Sequence, residues 1–168
     1  MVLTKAELID KLQQEVRILL HLISKVNPPD LEYRPTPQQR SVLELLQYLT
    51  IFAPIHLRTI VSGKLDLDAW RNEWGIEEAA ARQRGLEEIK AAIGAQSPLF
   101  SNLLEPLTDE DLLLQMEVFG NQGSRGSWLV SLVLCHFAAY RMQLFLYLKS
   151  CGHAELNTLN LWAGMDRQ

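Results

Sequence analysis

His136, Tyr140, Gln143 and Tyr147 recur at intervals of four, three and four residues inside the apolar stretch Trp128 to Leu148. At about 100° per residue, a helix sets Tyr140 about 40° and Tyr147 about 20° to one side of His136, and Gln143 about 20° to the other. One polar and aromatic stripe therefore runs along a segment that is otherwise apolar nearly all round. Such a stripe has two uses. In a core, an imidazole and two phenols bond to one another and to their neighbours, because buried polar groups need partners. In a pocket, the same groups hold a small molecule, or the imidazole coordinates a metal ion.

A second stripe lies in the segment Ser41 to Gly63, where Tyr48 interrupts an apolar face and Glu44 sits one turn before it. Glu44 has a competing use as the return bond of the capping box Ser41-Val-Leu-Glu44. His56 falls about 80° off the face of Tyr48 and needs a bend at Pro54 to join it. Cys135 adjoins His136, but helical neighbours point about 100° apart, so a buried structural thiol is expected, not a nucleophile beside its base. Cys151 lies sixteen residues further along the same segment. The two thiols are then about 24 Å apart, beyond disulfide reach, and a pair of free thiols points to a reducing cytoplasm. Gly120 to Gly126 reads as a mobile connector leading to an N-cap at Ser127, without the lysine of a phosphate-binding loop. His21, His153 and the four tryptophans read as surface or packing residues.

Four helices are predicted to position these groups. The first begins at the capping box Thr4-Lys-Ala-Glu7, repeats Leu8, Leu12, Val16, Leu19 and Ile23 at helical spacing, and stops at Asn27-Pro28-Pro29. The second runs from Ser41 to Gly63 with a kink at Pro54. Lys64 to Gly75 reads as a packed connection. A third helix is expected from Ile76 to about Leu104, bent near Gly94 and Pro98, then a short capped turn at Thr108-Asp-Glu-Asp111. The fourth runs from Trp128 to Cys151 and is expected to be buried, with Gly152 as its stop. Ser131, His136, Arg141 and Gln143 argue against that stretch crossing a membrane, and the acids and lysine near the N-terminus argue against a signal peptide.

The 168 residues and 19.2 kDa fit a single all-α domain over 1–168, folding to roughly 8,400 Å² of surface from an open chain of roughly 28,000 Å². A core of that size needs no disulfide or metal staple. The net charge of −4, with no basic stripe, excludes a typical nucleic-acid binder. Trp128, Val130, Phe137, Leu144, Phe145 and Leu148 exceed what one side of a monomeric bundle buries, so a homodimer through helix surfaces is expected.

Three segments in this order and spacing resemble the DinB-like helical-bundle family: Ser41-Val-Leu-Glu-Leu-Leu-Gln-Tyr-Leu49, His136-Phe-Ala-Ala-Tyr-Arg-Met-Gln143 and Leu161-Trp-Ala-Gly-Met-Asp166. In that family the second helix usually reads Ser-Val-x-Glu-Leu-x-x-His-Leu and the fourth His-x-x-x-His-x-x-Gln. The resemblance spans most of the chain. It implies a four-helix bundle in up-down-down-up order, often dimeric, with a divalent metal (zinc or nickel) held by one histidine of the second helix and two of the fourth. It also implies metal-dependent thiol S-transferases or isomerases using bacillithiol, mycothiol or glutathione, or hydrolase-like enzymes.

The ligand positions carry over to Tyr48, His136 and Tyr140, so one imidazole of three survives. Neutral imidazole binds zinc or nickel at pH 7, whereas a phenol must first lose a proton with a pKa of about 10. A degenerate metal site is expected, with no cofactor. Two rescues exist: ferric iron on the two phenolates and His136, or a carboxylate from Glu44. The expected site is an apolar pocket floored by Tyr48, His136 and Tyr140, with Gln143 and Glu44 beside it, in a protein that binds a small-molecule or thiol ligand or a partner. The alternatives are an S-transferase or hydrolase-like enzyme with a rearranged site around His136, and a structural dimer in which the pocket is only core.

Overall fold

Helix α1 (Lys5–Ile23) starts where Thr4 and Glu7 close a reciprocal cap, the Thr4 amide donating to Glu7 Oε2 at 2.8 Å. Leu8, Leu12, Val16, Leu19 and Ile23 form its buried face. The computed structural model describes residues 3–167. A 3₁₀ turn over Pro28–Glu32 opens the first connection.

The second helical segment is two helices, α2 (Val42–Leu49) and α3 (Phe52–Ser62). The break falls at Thr50 and Ile51 because Pro54 has no N–H for the Thr50 carbonyl and its ring crowds that oxygen. The buried Gln96 amide reaches the carbonyls of Leu49 at 2.9 Å and Thr50 at 3.3 Å, satisfying groups the break releases.

Two expectations fail in the next stretch. The supposed connection is helix α4 (Leu67–Ala81), capped by Asp66 through the Ala69 amide at 3.0 Å. The third helix begins ten residues later than predicted, as α5 (Leu86–Gly94) and α6 (Gln96–Leu104), separated from α4 by the turn at 82–85. Glu-rich and Ala-rich turns favour helix equally on both sides of Gly85, so propensity did not show the break. Ala81 is the only fully buried residue of α4, which lies over the outside of α2 and α3.

After the short α7 (Asp109–Leu113) the chain makes a hairpin, β1 (Gln115–Val118) and β2 (Asn121–Ser124), where a mobile loop was expected. Met116 and Val118 point inward and Gln115 and Glu117 outward, the period of a strand. Phe119 and Gly120, with φ of 51° and 78°, make the two-residue turn. The last helix is therefore capped by Ser124, not Ser127, and starts at α8 (Arg125–Leu129). A π-helical turn over Val130–Leu134 joins it to α9 (Cys135–Ser150), and α10 (Thr158–Ala163) closes the chain.

Apart from the hairpin the fold is all-α, as expected. Helix α1 packs on α5, α6 and α9, and the α2–α3 segment packs on the same three helices. Phe52, Phe100 and Phe137 are the largest fully buried side chains of the core between them.

The last helix is not buried all round. By length and composition residues 125–150 could cross a membrane, yet only 28% of the most apolar window is buried in the fold. Phe137, Leu144 and Leu148 of the expected dimer surface are core residues, while Cys135, Ala139 and Leu146 face outward. Cys135 is exposed because its neighbour His136 faces inward, which corrects the expected buried thiol. Cys151, also free, is half-buried against Asp30.

Candidate functional site

Antiparallel passage of α2–α3 and α9 lines up residues one turn apart on each. Tyr48 meets Tyr140 with ring centroids 5.0 Å apart, and Phe52 packs on Phe137 at 4.8 Å and Tyr140 at 5.9 Å. His136 lies 6.1 Å from Phe52 and 6.0 Å from Tyr140. The three positions named from sequence, Tyr48, His136 and Tyr140, therefore gather around Phe52. The two phenols bond to each other, Tyr140 donating to the Tyr48 oxygen at 3.4 Å. Burial, and then that bond, push the Tyr48 phenol well above its ordinary range.

His56 joins this cluster through the bend at Pro54 that it needs to reach the face of Tyr48. The break at Thr50 rotates α3 relative to α2, which brings His56 to 6.1 Å from His136. Proline at position 54 was the available signal. His56 is only 6% exposed, and burial, then the nearby His136, lower its pKa to about 4. Burial also lowers His136, against a smaller raising effect of the Leu132 carbonyl one turn back. Both imidazoles are neutral at pH 7. His136 Nδ1 is buried without a hydrogen bond of good geometry, as is Trp70 Nε1. Trp70 and Trp74 of α4 cover the pair, lying 6.0 and 5.8 Å from His56. The hairpin tip holds α4 down, with Phe119 edge-on to Trp70 at 5.3 Å.

Gln143 and Glu44 do not enter the cluster. Gln143 shares the stripe of His136 but sits two turns along, where it donates to Tyr147 Oη at 2.6 Å, and Tyr147 packs edge-on to Tyr33. Glu44 closes the α2 cap, accepting from the Ser41 amide at 2.8 Å, and pairs with Arg34 at 3.3 Å. Both Glu44 and Tyr48 nevertheless line a cavity of about 560 Å³ between α2 and α4, whose other walls include Arg40, Gln47, Glu78 and Arg82. Arg40 stacks on the Tyr48 ring, its guanidinium carbon 4.2 Å from the centroid.

His153 is not a surface residue. It is buried with Asp30, Nε2 to Oδ2 2.8 Å, and pins the end of α9 to the first connection.

The folds of known proteins agree with this architecture. The crystal structure of the DinB-like protein YjoA from Bacillus subtilis superposes with a TM-score of 0.67 at 19% identity, over 89% of this chain and 94% of that one. A structure assigned to the DinB family from Exiguobacterium sibiricum 255-15 superposes with a TM-score of 0.66 at 23% identity, over 92% and 96%. No family model and no curated protein matches the sequence. The chain thus has the DinB-like fold.

The donors present do not fit the three-imidazole metal set that the resemblance implies. Two of the three positions are phenols bonded to one another, and burial makes Tyr48 resist the ionisation that a ferric site requires. His56 supplies a second imidazole, but among the described residues no cluster of three or more His, Cys, Asp or Glu side chains could hold a metal ion.

Proposed function

We propose that this DinB-like protein is a small-molecule binding protein whose ligand enters the cavity between α2 and α4 and meets the Tyr48–Tyr140 pair. The observation that carries the reading is the position of Tyr48. One phenol closes the cluster that would hold a metal in the resembling family and also walls the cavity of about 560 Å³. That volume falls within the range of about 300–1,000 Å³ of small-molecule sites. The bond to Tyr140 leaves the Tyr48 proton without an acceptor among the described residues. The neutral imidazoles of His56 and His136 sit behind this wall under Trp70 and Trp74.

With α1 and α2–α3 each flanked by α5–α6 and the last helix, we read the helices as a four-helix bundle in up-down-down-up order over a single domain. A second copy is proposed to cover the outward face of the last helix, where Leu146 is 53% exposed beside a groove of about 410 Å³ lined by Tyr33, Ala139 and Met142. The two free thiols favour a reducing, cytoplasmic setting.

A second reading, a metal-dependent S-transferase or hydrolase-like enzyme, is favoured by one observation, the 6.1 Å approach of His56 to His136. Elemental analysis of untagged protein by plasma mass spectrometry separates the two. Substoichiometric zinc, nickel and iron are expected. A near-stoichiometric ion that is lost in His136→Ala would establish the second reading and overturn the first.

A further inference from the structure

The charges around the cavity do not balance. Glu44 is engaged twice, by the Ser41 amide and by Arg34. Glu78 pairs with Arg82 at 3.2 Å. Arg40 has no carboxylate partner among the described residues and lies flat on Tyr48, so its N–H edges stay available beside the ring. With Arg34 counted, three cations face two carboxylates at the mouth, and Arg40, whose charge acts on Glu44 only from a distance, is the one without a close ion pair.

Gln47 adds a second directional group. It is 8% exposed, and its Nε2 donates to the carbonyls of Arg82 at 3.2 Å and Arg84 at 3.1 Å. Two carbonyl acceptors fix the amide orientation and leave Oε1 as an acceptor with no partner among the described residues. Leu43, Ile51, Ala81 and the Tyr48 ring make the remaining wall apolar.

We propose, resting on the binding reading above, that the ligand is an amphipathic organic monoanion. It carries a carboxylate for Arg40, a neighbouring O–H or N–H donor for Gln47 Oε1, and an aryl or branched aliphatic body for the apolar wall. Polyanions such as nucleotides are disfavoured, because Glu44 and Glu78 stand on the same rim. A lone cation is disfavoured too, because Arg40 already occupies the face of Tyr48.

Three probes test this on the full chain by calorimetry and by amide shifts around the cavity: 3-phenyllactate, 3-phenylpropionate and the neutral 3-phenylpropanol. Phenyllactate is expected to bind about tenfold more tightly than phenylpropionate, and phenylpropionate about tenfold more tightly than the alcohol, one hydrogen bond or charge contact at each step. Arg40→Gln, at an exposed site, should erase the preference for the acid over the alcohol. Gln47→Met should erase the preference for the lactate over the propionate. Arg17→Gln, on the exposed side of α1, should change neither. Equal affinity for acid and alcohol, or an acid preference that survives Arg40→Gln, overturns the anion proposal while the cavity remains a binding site. If no probe shifts the cavity resonances, the binding reading falls with it.

Discussion

Protonation of His56 is opposed by this fold. In the unfolded chain its imidazole titrates near the ordinary value of about 6.5, and in the fold at about 4. Between those two values the unfolded state binds the proton and the folded state refuses it, so stability is full above the upper value and falls as the pH drops through the window. A separation of about 2.5 units corresponds to about 3 kcal/mol at most, a large part of the stability of a domain of this size. His136, also lowered by burial, loses stability in the same direction. Carboxylates held low by their caps, such as Glu44 and Asp111, weaken the fold only at more acidic pH. Urea unfolding followed by circular dichroism from about pH 7 to about pH 4 gives the slope, and His56→Gln isolates its source. The variant should lose about 3 kcal/mol of the pH dependence while keeping the part the carboxylates contribute. An unchanged slope in His56→Gln, or an NMR midpoint for His56 near the ordinary value, would refute the reasoning.

Tyr48→His combined with Tyr140→His should produce micromolar or tighter zinc or nickel binding, since the two phenols already meet beside His136, and calorimetry of a folded double variant with no metal heat would count against that geometry. Tyr140→His alone should bind weakly, because two ligands leave the ion mostly hydrated. Light scattering should report twice the 19.2 kDa chain mass, falling to the monomer in Leu146→Glu, and a monomer mass for the unaltered chain would remove the proposed dimer. Asp30→Ala leaves the buried His153 without its 2.8 Å hydrogen-bond partner and should cost about 1–2 kcal/mol by urea unfolding, and a cost near zero would show the pair to be dispensable.

Where helices begin was legible where a Ser or Thr capping box closes both ways. Thr4 with Glu7, Ser41 with Glu44 and Thr108 with Asp111 were read from three-residue spacing and are present as reciprocal bonds. The same holds for His136 and Tyr140, whose shared face follows from helical geometry alone, and for Tyr48 as the polar break in an apolar stripe. The all-α class followed from the same periodicities.

Relations set by distant contacts were not legible. Within Lys64–Gly75 only the cap at Asp66 marks the start of α4, because this helix buries only Ala81 fully and so lacks a strong apolar stripe. The break before Pro54 was legible from the proline, but that Gln96, far along the chain, takes the carbonyls released there was not. That break in turn carries His56 to His136, which a continuous helix would keep apart. Asp30 and His153, more than a hundred residues apart in sequence, become a buried pair only after the chain ends meet. Spacing along one helix determines which side chains share a face, since the backbone repeat is local. What lies opposite that face is decided by packing between helices, and the cavity beside Tyr48, walled by Arg40 and Gln47 from α2 and its approach and by Glu78, Ala81 and Arg82 from the far end of α4, exists only there.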